Sequence, residues 1–82
     1  MEWNDDFNKI QEALYHDYHD NWSKAHEIVD NMSGRDAALI HAYLHRKEGD
    51  QWNAEYWYRR AGADVYKGNL KEEWEFLWNK FK

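Results

Sequence analysis

Apolar residues recur three or four positions apart along most of this chain, which is the spacing of one face of an α-helix. No run alternates between apolar and polar residues over the length of a strand. The chain has no proline and only four glycines, so helices can run unbroken between those points. The pattern therefore predicts an all-α fold. The clearest stripes are Trp3, Phe7, Ile10 and Leu14 near the start, and Leu70, Trp74, Leu77, Trp78 and Phe81 at the end.

The breaks between stripes divide the chain into five predicted helices. We expect them at about residues 5–19, 22–31, 35–48, 51–61 and 70–81. Ser33, Asp50 and Asn69 stand where side chains cap a helix N-terminus, while Gly49 and Gly62 stand where helices end.

Short connections between these helices make sequence neighbours pack antiparallel. We therefore predict one domain, residues 1–82, made of two stacked helical hairpins and a capping helix. The first hairpin covers about 5–32, the second about 33–62, and the capping helix about 69–81. The fourth helix is aromatic on more than one side, which predicts that it lies buried between the hairpins.

Composition narrows the range of functions. The chain has no cysteine, which rules out disulfides and thiolate metal sites and makes a cytoplasmic location the default expectation. The net charge is −5, and residues 1–34 alone carry eight acids against two bases. An acidic chain disfavours binding to nucleic acid, and no apolar run is long enough to cross a membrane. Residues 35–62 carry five bases against four acids, which leaves room for a small anionic ligand.

The segment 35–62 resembles the tetratricopeptide repeat, in which small residues at the helix crossing alternate with aromatic ones at fixed spacing. Ala42, His45, Ala54, Tyr58 and Ala61 occupy those places, with His45 in place of an aromatic residue. The segment also resembles the Sel1-like repeat through Asp50, Ala54, Trp57, Tyr58, Arg60 and Ala61. A third resemblance is to small bacterial proteins of no assigned activity that carry HAYLHRKEGD followed by NAxYWYRRAG.

The repeat resemblance implies a module that binds a protein or a short peptide, or that associates with itself. In such repeats the first helix of each hairpin lines the concave binding face. The corresponding residues of this chain form the candidate partner surface, with Arg46 beside them. They are Asp36, Leu39, Tyr43 and Lys47.

An alternative is an enzyme or a metal-binding domain with a site between the hairpins. Six polar and aromatic residues of the second hairpin form a candidate pocket for an anionic ligand. They are His41, His45, Arg46, Glu48, Trp57 and Arg60. Salt bridges from Arg46 and Lys47 to Asp17 or Asp20 are the simpler explanation of these cations.

Histidines are the only strong transition-metal ligands in the chain. His41 and His45 are four residues apart and share one helix face, and either His16 or His26 could add a third imidazole. The repeat pattern favours a packing role for these rings instead. We therefore expect neither a metal nor another cofactor.

Overall fold

The computed structural model describes all 82 residues and contains five α-helices and no strand. This confirms the predicted all-α fold with five helices. In chain order the helices are α1 (Lys9–Tyr18), α2 (Trp22–Asp30), α3 (Arg35–Lys47), α4 (Gln51–Ala61) and α5 (Leu70–Phe81). None of them has both the length and the apolar character that crossing a membrane would require.

Two of the predicted helix caps are present. The Asp50 side chain accepts a hydrogen bond from the Asn53 backbone at the start of α4. Asn69 and Glu72 form a reciprocal capping box at the start of α5. These side chains satisfy backbone N–H groups that have no partner within the helix, so they fix where α4 and α5 begin.

Two other predictions about helix starts were wrong, namely the first residue of α1 and the cap of α3, although α3 begins at Arg35 as predicted. α1 begins at Lys9, because Asn8 and Gln11 form a capping box that the apolar stripe does not reveal. Ser33 does not cap α3. Gly34 is the N-cap residue, with a φ of 99° that favours glycine, and no side chain bonds to the first turn of the helix.

α3 is the central helix. Its consecutive residues Ala37–Leu44 are all buried, since α3 packs against each of the other four helices. α4 pairs with α3 at one edge of the molecule, and Trp52 and Tyr56 on its outer side are 79% and 40% exposed. The prediction that α4 is buried between the hairpins was therefore wrong.

α5 packs across α1 and α3. Trp74 donates its indole N–H to the Leu14 carbonyl oxygen at 3.0 Å, and Leu77 is fully buried.

Two residues of the predicted partner surface, Leu39 and Tyr43, are only 9% and 2% exposed. The predicted partner surface is consequently wrong at these two residues, because the apolar side of α5 is buried against the helices that were expected to bind a peptide.

Candidate functional site

Three histidines converge where α2 faces α3. His26 comes from α2, and His41 and His45 lie one turn apart on α3. One ring nitrogen from each lies within 4.8 Å of the others. The His26 ring stands nearly perpendicular to the His41 and His45 rings, with centroid distances of 5.2 and 5.3 Å. We call these three residues the histidine cluster.

Tryptophans and carboxylates surround this cluster. His41 stacks on Trp57 with a centroid distance of 4.0 Å, and His26 stacks on Trp22 at 4.8 Å. The Nδ1 atom of His45 lies 2.7 Å from Glu48 Oε1. His41 is 3% exposed, and its Nδ1 atom has no hydrogen-bond partner.

Burial, together with the nearby His26 and His45, lowers the pKa of His41 to about 4, against opposing effects of Asp30 and the Val29 backbone. Asp30 Oδ1 lies 4.0 Å from His41 Nε2. His41 is therefore a neutral imidazole at neutral pH. In that form it can donate a lone pair to a metal ion.

His16 is not part of the cluster. Its ring packs against Trp3 and Tyr15, with centroid distances of 6.0 and 5.4 Å. The idea that His16 could serve as the third imidazole was therefore wrong, whereas His26 occupies that place.

A second feature is a cavity of about 250 Å³ at the start of α3 and the end of α4. Three of the candidate pocket residues, His41, Trp57 and Arg60, line it together with Arg35. We call it the arginine pocket. Arg60 lies over the Trp57 ring at 5.5 Å from its centroid, and neither arginine forms an ion pair with a carboxylate. The remaining lining residues are Met32, Ser33, Gly34, Ala37 and Ala38.

Sequence reasoning missed Arg35. The sequence did indicate an arginine free to bind an anion. Arg35 directly follows a glycine at the start of a predicted helix, and no acidic residue lies three or four positions after it on the same helix face. The assumption that Ser33 caps α3 hid this signal, since a capped helix start has fewer free N–H groups to offer.

Arg46, which was predicted for the pocket, and Lys47, which was predicted for the partner surface, form ion pairs elsewhere. Arg46 points to α5, where it pairs with Glu73 at 2.9 Å and donates to the Gly68 carbonyl oxygen. Lys47 pairs with Asp17 at 2.9 Å, which confirms the predicted bridge to the first hairpin. Both carboxylates are only 1% exposed, so these cations neutralise buried charge.

Each of those buried carboxylates also accepts a hydrogen bond from a tyrosine. Tyr43 donates to Asp17 at 2.7 Å, and Tyr58 donates to Glu73. Burial raises the pKa of both phenols, and the adjacent carboxylates raise it further. These tyrosines therefore remain protonated and hold the helices together.

No protein-family model matches the sequence, and comparisons with curated proteins and with solved structures found no match either. Any functional conclusion therefore depends on the geometry of the histidine cluster and the arginine pocket.

Proposed function

We propose that this protein is a small helical module that binds a phosphate group in the arginine pocket. The single observation that carries the proposal is that Arg35 and Arg60, both without a carboxylate partner, line one cavity with the uncapped start of α3. Inorganic phosphate and small phosphate monoesters share the chemistry that would be recognised.

The start of α3 contributes a fixed partial positive charge to the arginine pocket. The first N–H groups of a helix have no partner within it, and they carry a partial positive charge that favours anions. In α3 no side chain occupies this position, because Gly34 has none to offer. The 13-residue length of α3 gives it a full helix dipole. Phosphate binding at such helix starts is a general property of proteins.

The arginines supply charge and direction. A guanidinium group can donate two parallel hydrogen bonds to a phosphate, which fixes the orientation of the ligand. Arg60 rests on the Trp57 ring and also donates to Tyr56 Oη at 3.3 Å, so its side chain is already partly ordered. An ordered side chain loses less conformational entropy when the ligand binds.

Size and charge favour a small ligand. The cavity of about 250 Å³ lies just below the roughly 300–1,000 Å³ of most ligand pockets, so it suits a small ligand. The acidic residues 1–34, with a net charge of −6, would repel a long polyanion such as nucleic acid.

Titration with inorganic phosphate tests this proposal. We expect the backbone amide signals of Arg35 and Ala37 to shift in NMR spectra, and we expect Arg60→Ala to weaken binding by roughly tenfold, because one charge-assisted hydrogen-bond donor is lost. Arg35→Ala should have a similar effect.

Arg59→Ala is the matched control, since Arg59 precedes Arg60 on the same helix but does not line the pocket. It should bind phosphate like the unaltered protein. Equal weakening by Arg59→Ala and Arg60→Ala would show a general effect of charge and would contradict the pocket.

Other expectations from the sequence stay predictions. They are a relationship to tetratricopeptide or Sel1-like repeats, binding of a protein or peptide or self-association, and a cytoplasmic location. A peptide bound across α1 and α3 would have to displace α5, so we favour the small ligand.

A further inference from the structure

Buried polar groups in this protein are paired almost without exception. The two most buried carboxylates, Asp17 and Glu73, each have a cation and a tyrosine hydroxyl as partners. His41 Nδ1 is the one buried side-chain nitrogen or oxygen atom that has no partner. A buried polar atom without a partner is energetically unfavourable, and a bound ion is one group that would satisfy it.

Imidazole nitrogens of two other histidines lie close to this atom. Besides His41, the imidazoles of His26 and His45 each place a nitrogen within the same 4.8 Å set. His26 is half-buried and makes no hydrogen bond to the protein, so a rotation of its ring would break no hydrogen bond, although it would disturb the stacking on Trp22. Three imidazoles from two adjacent helices form a donor set of the type that binds zinc.

The distances are close to those of a metal site. With Zn–N bonds of about 2.0–2.1 Å, two ligating nitrogens around a tetrahedral ion are roughly 3.3 Å apart. The cluster nitrogens lie within 4.8 Å of one another, so no separation has to shorten by more than about 1.5 Å. Rotation of the His26 side chain is a direct way to achieve this.

We propose that His26, His41 and His45 bind one Zn²⁺ ion through three imidazole nitrogens, with the fourth coordination position open to water or another exchangeable ligand. This site is separate from the arginine pocket, although His41 borders both. Three protein ligands and one open position are typical of zinc sites that bind or activate a small molecule.

The carboxylates beside His41 and His45 indicate which ring nitrogen of each histidine would bind the metal. Metal-bound histidines usually donate their second ring N–H to a carboxylate or carbonyl, which orients the ring. Glu48 already accepts from Nδ1 of His45 at 2.7 Å, which leaves Nε2 for the metal. Asp30 lies 4.0 Å from Nε2 of His41, which leaves the unpaired Nδ1.

The donor set also selects the class of metal. Imidazole suits Zn²⁺ and neighbouring transition metals, whereas Ca²⁺ and Mg²⁺ require oxygen ligands. A second group, His45, Glu48 and Asp50, is also close enough to hold an ion. There Asp50 is engaged by Asn53 as the cap of α4 and Glu48 is engaged by His45, so fewer ligand atoms are free.

The test uses the full chain without an affinity tag, stripped with a chelator and titrated with Zn²⁺ alone. We expect calorimetry to give one ion per chain. Imidazole ¹⁵N signals should shift strongly for His26, His41 and His45. His16 and His19 serve as internal controls because they lie outside the cluster, and their signals should not move.

Variants make the test specific. His26→Ala should weaken Zn²⁺ binding at least tenfold, whereas His16→Ala should leave it unchanged. His45→Ala is a second variant of the cluster, and circular dichroism checks that each variant is folded. Arg60→Ala should bind Zn²⁺ normally, so failure of the phosphate proposal and failure of the zinc proposal can be told apart.

Three results would overturn the zinc site. One is the absence of stoichiometric binding at micromolar Zn²⁺. Another is equal affinity of His26→Ala and the unaltered protein. The third is a set of shifts confined to His16 and His19, which would indicate weak binding at the surface.

Discussion

The five histidines show how neighbouring atoms decide what one residue type does. His16 and His19 lie on α1 and its C-cap and contact aromatic rings near the N-terminus. His41 is buried between Trp57 and the other cluster histidines, which keeps it neutral. His45 keeps a close carboxylate partner in Glu48. These differences arise from position in the fold.

The neutral state of His41 has a consequence for stability. Its pKa is lowered to about 4 in the folded protein against the ordinary 6.5, so only the unfolded chain binds the proton between these values. Stability is therefore complete above pH 6.5 and declines as the pH falls towards 4. His41→Phe keeps an aromatic ring on Trp57 but removes this titration.

We expect the free energy of unfolding to drop between pH 7 and pH 4.5 by about 2–3 kcal/mol more in the unaltered protein than in His41→Phe. Urea denaturation at the two pH values, in the presence of a chelator, measures this drop for each protein. His26, His45 and Asp30, which face the ring, are the same in both proteins. An identical drop in the two proteins would show that His41 does not remain neutral as the pH falls.

At the scale of helices, the start of α3 differs from the starts of the other four. α1 and α5 begin with complete capping boxes, and α2 and α4 begin with Asn21 and Asp50 as their caps. α3 begins at Gly34 without a side-chain cap, next to a cavity with two arginines. The one uncapped start is therefore the one where a ligand could replace the missing cap.

Substitution of two helix-start residues tests this distinction. Asn69→Ala should lower the free energy of unfolding by about 1 kcal/mol, because it removes the cap of α5. Ser33→Ala should change it by less than about 0.5 kcal/mol, because Ser33 caps nothing. Urea denaturation distinguishes the two. A loss at Ser33 as large as that at Asn69 would restore the serine as the cap of α3.

At the scale of the whole molecule, α5 decides which surfaces are available. It lies on α1 and α3 and buries Leu39 and Tyr43, which would be binding residues in an open repeat. Trp74 and Leu77 make the apolar contact, and the pair Glu73–Arg46 makes the polar one. The surface left for a small ligand is therefore on the other side of α3, towards α2 and α4.

The contribution of α5 can be measured with two neighbouring residues. Leu77 is fully buried, so Leu77→Ala should cost about 2–5 kcal/mol of unfolding free energy. Phe76 is 46% exposed, and Phe76→Ala should cost less than about 1 kcal/mol. Thermal denaturation of both variants checks this, and equal losses would mean that α5 does not pack as described.

Much of the helical framework could be predicted from the sequence. The spacing of apolar residues depends on local backbone geometry, which is why all five helices were predicted, and the caps at Asp50 and Asn69 are local as well. The salt bridge between Lys47 and Asp17 was also anticipated. The N-cap residue of α3 was misassigned because serine and glycine are both acceptable N-cap residues.

The sequence by itself determined the all-α class, the helix order and the exclusion of thiolate chemistry, since each of these depends on composition or on contacts within a few residues. Only the tertiary structure decided that α5 covers α1 and α3, that His26 rather than His16 joins His41 and His45, and that Arg35 joins Arg60. Those pairings join residues far apart in the chain. They depend on how whole helix faces pack, which no local pattern encodes.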